Sequence, residues 1–296
     1  MKFIIALAVI ALAFAQLTER EAEMIRQTSP SFQVGIHEKF VGKSDWELSR
    51  MVMRTIPARR PRMFAESTFE LDYTLPESFD SRDKWGASCP TVKEIRNQAQ
   101  CGSCWAFGAA ESSSDRYCIA KGESVKFSAQ WLVSCDHTDH GCNGGAMYNV
   151  WNYIKNYGIV PNSCLSYKSA QGDVPACPST CEDGSAPQKY YATSFKQLGS
   201  VEEIQDEIYN YGPIEAAFIV YRDFYYYTSG VYHHTSGQEM GGHAIKIIGW
   251  GVEDNTPYWT VANSWGYDWG IGGTFKIKRG VDECGIESLG PMAGHF

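Results

Sequence analysis

Gln98-Ala99-Gln100-Cys101-Gly102-Ser103-Cys104-Trp105-Ala106-Phe107 joins a polar approach to an apolar run through two closely spaced cysteines. Asn97 to Gln100 is polar and turn-like. From Cys104 to Ala120 no Gly or Pro follows Gly108, which predicts a long helix starting at Cys104. A thiol at a helix N-terminus lies among N–H groups without intrahelical acceptors, at the positive end of the macrodipole. That position favours thiolate, the nucleophilic form of a group whose ordinary pKa of roughly 8.5 keeps it mostly protonated at acid pH.

Outward from this stretch, composition bounds the function. The 296 residues are 44% hydrophobic and 20% charged, which is globular rather than disordered. With 26 Lys plus Arg against 34 Asp plus Glu, the net charge of −8 argues against nucleic acid or an anionic membrane as partner. Ten cysteines suit an oxidising compartment. Lys2, the apolar run Phe3 to Phe14 and the small-x-small pattern Ala13-Phe14-Ala15 suggest a signal peptide over 1–15, the alternative being a retained anchor. No other segment is expected to span a membrane. Residues 16–74 contain no cysteine and balance nine acids with nine bases, whereas 75–296 hold all ten cysteines and 16 bases against 25 acids. The break suggests a pro-segment over 16–74, with bases at Arg50, Arg54, Arg59, Arg60 and Arg62, docking on an acidic body from Leu75 to the end. Within that body, helical signals run through 97–157 and stop at Gly158, and Ser200 to Glu203 opens a short helix ending at Gly212-Pro213. Ile214–Tyr221, Gly230–His233, His243–Trp250, Pro257–Ala262 and Thr274–Lys278 then read as strands. A helical half followed by a β half predicts two subdomains with a cleft between them.

Cys101-Gly102-Ser103-Cys104-Trp105 has the C-G-[SA]-C-[WY] form of the papain/cathepsin nucleophile. Gly241-Gly242-His243-Ala244 and Asn263-Ser264-Trp265-Gly266 follow, 139 and 159 residues after Cys104. From Leu75 onward the chain resembles the papain family of cysteine proteases. Leu75-Pro76-Glu77-Ser78-Phe79-Asp80, Gly230-Val231-Tyr232-His233-His234 and Asp282-Glu283-Cys284-Gly285-Ile286-Glu287-Ser288 are similar to its cathepsin B branch. The resemblance implies an α+β, papain-like fold with a helical left half and a β-barrel-like right half. It also implies a cysteine endopeptidase made as a zymogen, inhibited by its own propeptide, needing no cofactor or metal, and acting on protein and peptide substrates as a monomer. The expected location is the secretory route, extracellular or in lysosome- or vacuole-like vesicles.

The chemistry fits these residue types. Cys104 would pair with His243 as thiolate and imidazolium, and His243 would protonate the leaving amine. The Asn263 carbonyl would hold the imidazole, Trp265 would shield that bond, and the Gln98 amide with the Cys104 N–H would stabilise the oxyanion. A thioredoxin-like reading of Cys101-x-x-Cys104 leaves Gln98, His243 and Asn263 without a role and lacks the preceding strand. Cys135, His137, His140 and Cys142 are chemically suitable for zinc, but in an oxidising compartment the cysteines are expected to be bridged. The adjacent His233-His234 reads as a poor chelate on a strand and as surface chemistry.

With Cys104 free, at least one other of the ten cysteines stays unpaired. The resemblance implies Cys89–Cys118, Cys101–Cys142, Cys135–Cys177 and Cys164–Cys181, leaving Cys284. It also implies a substrate strand against Gly144 and Gly145, and a pocket for the residue before the scissile one, walled by Met147 and Ala244 and floored by Leu289. Leu289 stands where cathepsin B carries Glu, so apolar residues are expected there. Between Cys164 and Cys177 only 12 residues, Leu165 to Ala176, replace the long histidine-bearing loop of cathepsin B, and Lys168 is their one cation. Endopeptidase action is therefore expected.

Overall fold

The computed structural model describes residues 17–28, 31–53, 69 and 71–296. The signal-peptide reading of 1–15 and the bases Arg54, Arg59, Arg60 and Arg62 lie outside these residues. The chain forms α1 (Glu19–Thr28), β1 (Phe32–Val34), α2 (Asp45–Ser49), β2 (Phe79–Asp80), α3 (Ser81–Trp85), α4 (Cys104–Lys121), α5 (Ala129–Cys135), α6 (Met147–Tyr157), β3 (Ser194–Gln197) and α7 (Val201–Tyr211). The strands β4 (Ile214–Tyr221), β5 (Tyr227–Tyr232), β6 (Glu239–Glu253), β7 (Thr256–Ala262), β8 (Thr274–Lys278) and β9 (Met292–His295) follow. Among these, no helix is long and apolar enough to cross a membrane.

The helix expected from Cys104 is α4, which ends where Gly122 takes a left-handed conformation. α6 stops at Gly158, and Ser200 caps α7 by accepting from the Glu203 N–H. Glu203 returns its carboxylate to the Gly199 N–H rather than to Ser200, so the box closes one residue early.

The near-continuous apolar run of β4 is buried on both faces. Ile214, Ala216, Phe218 and Val220 enter an aromatic-rich core with Tyr225, Trp265 and Trp269. Ala217 and Ile219 enter a second core with α4, α5 and α6. β4 thus forms the wall between the two halves.

Among the described residues the sheet has nine strands, in the order β1-β5-β8-β7-β6-β4-β9-β3, with β2 added to β6. The α+β architecture expected from the resemblance is borne out, and its β half is an open sheet rather than a closed barrel. Its β9–β3 edge turns over α6, where the Tyr148 and Phe195 rings meet at 5.4 Å, and so covers the helical core instead of returning to β5. Short β3 and β9 were not legible in the strand pattern. β5 starts at Tyr227 and ends at Tyr232, so His233 and His234 lie beyond it.

The N-terminal segment packs on the β half and then enters the cleft. β1 adds to the sheet edge beside β5, and Phe40, fully buried, meets Tyr225 and Trp265 edge-on at 5.4 and 5.8 Å. Its charge contacts run both ways. Lys39 pairs with Asp268 at 2.7 Å, while Glu21 and Asp45 pair with Arg222, so docking is not simply a basic segment on an acidic body. Phe40→Ala should destabilise the full chain by about 3–5 kcal/mol through the cavity it leaves. Urea denaturation of the uncleaved protein measures this, and a loss under about 1 kcal/mol would show that the segment docks without that ring.

Candidate active site

Cys104 opens α4, and Cys101, three residues earlier, is bridged to Cys142. This bond ties the loop entering α4 to the loop that carries Gly144 and Gly145. The Cys104 thiol is buried, and the backbone N–H groups of Ala244, Trp105 and Cys104 itself lie near enough to its sulfur to favour the charged form, though burial outweighs them. The thiol therefore lies beside the residue that follows His243, so the two halves meet at this sulfur.

His243 lies on β6 opposite Phe218 of β4. Its Nε2 meets Asn263 Oδ1 at 2.7 Å, and Trp265 covers the ring at a centroid distance of 5.0 Å. Nδ1 has no hydrogen-bond partner among the described residues. Since Asn Oδ1 only accepts, Nε2 carries the proton and Nδ1 is available as base.

Gln98 is fully buried and doubly held. Its Oε1 accepts from Ser264 Oγ at 2.5 Å, and its Nε2 donates to the Cys101 carbonyl at 2.8 Å and to the Met51 carbonyl at 3.0 Å. Tyr167 donates to the Gln98 carbonyl at 2.8 Å. Ser264 and Tyr167 are positioning residues that sequence reading missed. Ser264 lies inside a motif already singled out, but the direction of its hydroxyl is set only by the packed structure.

The Met51 carbonyl thus engages the Gln98 amide, the group expected from the sequence to face a substrate oxyanion. Two residues on, Met53 donates its N–H to the Gly242 carbonyl at 2.7 Å and accepts from the Gly242 N–H at 3.2 Å. The Met53 side chain is fully buried in the apolar cluster that contains Met147, Ala217, Ala244 and Leu289. Ala217, from β4, joins the three pocket residues expected from the resemblance. Gly144 and Gly145 precede α6. A Cβ on Gly145 would stand 2.5 Å from the Trp105 ring and 2.8 Å from Asp139, so glycine is required by the protein's own packing there.

Burial shifts both partners of the site. With water excluded, the Cys104 thiol is pushed up to about 12 and His243 is lowered to about 4, the latter partly offset by its bond to Asn263. Between those values the thiol and the imidazole are both neutral while the segment covers them.

The model of the papain family cysteine protease matches residues 75–292. The chain belongs to the papain family of cysteine proteases. It is 38% identical over 297 residues to cathepsin B-like CP2 of Giardia intestinalis, covering 98% of both chains. It is 46% identical over 254 residues to cathepsin B-like cysteine proteinase 6 of Caenorhabditis elegans, covering 75% of this chain and 67% of that one. Among solved structures it is similar to proCathepsin B S9 from Trypanosoma congolense, with a TM-score of 0.85, 36% identity and coverage of 94% and 98%. Procathepsin L 3 of Tenebrio molitor, at 23% identity and a TM-score of 0.73, shares the fold.

The remaining cysteines of this papain-family chain form Cys89–Cys118, Cys135–Cys177 and Cys164–Cys181, with Cys284 free. Cys135 and Cys142 are bridged to different partners, so neither is a thiolate ligand beside His137 and His140. Lys168 pairs with Glu182 at 2.9 Å. The surface reading of His233-His234 is corrected. His233 Nδ1 meets Ser31 Oγ at 2.5 Å, while His234 stacks on Tyr221 at 3.6 Å and pairs with Asp223 at 3.2 Å.

A neutral, covered thiol is a poor nucleophile. Iodoacetamide should alkylate Cys104 in the uncleaved chain at least about 100-fold more slowly at pH 5–7 than after removal of the N-terminal segment. Peptide mass mapping over time measures this, and equal rates would show that the segment does not control the thiol.

Proposed function

We propose that the protein is a cysteine endopeptidase made as a secreted zymogen, with Cys104 as nucleophile, His243 as its base and acid, Asn263 as the imidazole's anchor and Gln98 as oxyanion donor. What supports this is the buried His243–Asn263 pair, the burial of Cys104 at the start of α4 and the Gln98 amide, which donates to the Met51 carbonyl and to the carbonyl of Cys101, three residues before Cys104. A scissile carbonyl placed at Cys104 would be attacked by sulfur, its oxyanion held by the Gln98 amide and the Cys104 N–H, and the leaving amine protonated by His243. Water would then hydrolyse the acyl-enzyme. In this reading 1–15 is the signal peptide, 16–74 the propeptide and 75–296 the mature enzyme, working as a monomer in the secretory route or in lysosome-like vesicles.

The pocket for the residue before the scissile one is read as apolar because Met53 fills it in this form. One buried carboxyl does lie nearby. Glu215 is two residues before Ala217 on the same face of β4 and receives the Trp151 indole N–H at 2.8 Å. Burial pushes it well above the usual carboxylate range, so it offers no charge to a guanidinium. Leu, Val or Phe should be preferred over Arg at this position by about 10-fold or more in kcat/KM. Leu289→Glu should raise acceptance of Arg, as measured with paired fluorogenic peptides, and equal native rates for Arg and Phe would refute the apolar pocket.

The segment Leu165 to Ala176 contains no histidine, and its one cation, Lys168, is engaged by Glu182. Nothing in that segment is placed to hold a substrate's terminal carboxylate. Internal cleavage should therefore proceed at similar rates on a peptide and its C-terminal amide, followed by mass spectrometry. Stepwise dipeptide loss that depends on the free carboxylate would overturn the endopeptidase reading.

A further inference from the structure

The N-terminal segment is gripped at a second place in the cleft, by body residues that the chemistry above does not use. Arg222 directly follows β4. Its Nε binds Glu21 Oε1 at 2.6 Å, and its Nη1 meets Asp45 Oδ1. Gln238 donates its amide to the other Asp45 oxygen at 3.0 Å. Three residues after Arg222, the buried Tyr225 donates its hydroxyl to the Leu48 carbonyl at 2.9 Å. The Tyr225 ring lies parallel to Trp265 at 5.1 Å, and Trp265 covers His243. An aromatic shelf therefore leads from the imidazole to the guanidinium.

The order of contacts along the segment shows which side of the cleft this is. Asp45 meets Arg222, Leu48 meets Tyr225, Met51 meets Gln98 and Met53 meets Gly242. Arg222 and Tyr225 thus lie across the Gln98 amide from the apolar pocket, where the leaving-group half of a substrate would run. Phe218 pairs with His243, and Arg222 is four residues further along the chain. At ~3.3 Å per extended residue, that is about 13 Å beyond the imidazole.

Resting on the protease reading, we propose that Arg222, Gln238 and Tyr225 form a leaving-group-side subsite that takes an acidic side chain about three or four residues after the scissile bond. Glu21 and Asp45 both belong to the segment lost on activation, so their carboxylate positions open to substrate. The neighbouring Asp223 does not compete for the guanidinium, because it accepts from Tyr232 Oη, the Thr235 N–H and the Ser236 N–H and pairs with His234. Arg222 presents a planar fork of donors suited to a carboxylate. The Tyr225 hydroxyl would bind a backbone carbonyl and serve acidic and neutral peptides alike.

The test uses the full chain after activation, with internally quenched peptides amidated at the C-terminus. One peptide carries Asp at the third and fourth positions after the cut, the other Asn. The wild type should favour Asp by about five-fold or more in kcat/KM, and by less as salt rises. Arg222→Gln should bring the ratio to about one, and Arg222→Lys should leave part of it. Tyr225→Phe should lower kcat/KM on both peptides with the Asp preference kept. A wild-type ratio of one, or a preference that survives Arg222→Gln, would overturn the subsite. Should Arg222→Gln fail to fold, the wild-type ratio and its salt dependence still decide. Cleavage of neither peptide by the wild type would instead count against the protease reading itself.

Discussion

Everything at the site depends on α4 being buried on all sides. A helix that must pack against α5 and α6 on one flank and β6 on the other needs small residues, and Ala106, Gly108, Ala109, Ala110, Ser112, Ser113 and Ser114 provide them. At Gly108 a Cβ would stand 2.9 Å from the Glu215 carboxyl, so the buried Glu215 side chain would have to shift. Ser112 and Ser114 donate their hydroxyls back to the carbonyls four residues earlier and so bring no unsatisfied donor into the interface. The two halves are also joined by charge. Lys246 of β6 reaches Asp115 of α4 at 2.7 Å in a fully buried pair. Because a buried charge without its partner is costly, this pair sets the register of helix against strand. His243, three residues before Lys246, is thereby carried to the N-terminal end of the same helix, beside Cys104.

The cover and the chemistry are coupled through desolvation. With Met51, Val52 and Met53 buried against Gln98 and Gly242, both Cys104 and His243 are fully buried, and dry surroundings disfavour their charged forms. The Asn263 bond that orients His243 is thus already made while the charged forms are disfavoured. The segment is held by contacts remote from Cys104, such as Phe40 on Trp265, Lys39 on Asp268, and the Glu21 and Asp45 carboxylates on Arg222.

The same contacts explain why the segment can lie across the nucleophile. Much of its grip on the body comes from side chains on α1 and α2, from Lys39 and Phe40 between β1 and α2, and from strand pairing at β1. Over the Gln98 amide it lays a backbone carbonyl, that of Met51, while the Met53 side chain is buried in the apolar cluster of the helical half.

How much of this was legible in the sequence follows from how local each signal is. The start and stop of α4, the ends of α6 and α7 and the bounds of β4 and β8 are set by residues within a turn or two, so they could be read directly. Cys104, His243, Asn263 and Gln98 could be singled out because their residue types and order are chemically restrictive. The open sheet, the β3–β9 edge, the bonds of Ser264 and Tyr167 to Gln98, the buried Glu215 and the Arg222 clamp could not. Each of these depends on partners far apart in the chain, 166 residues for Ser264 and Gln98 and 201 for Arg222 and Glu21. The sequence alone determined which residues have the chemistry for the site and where the local elements begin and end. Tertiary packing decided which groups face one another, which are dried by burial and which charges find partners, because those outcomes depend on distances that only the closed fold creates.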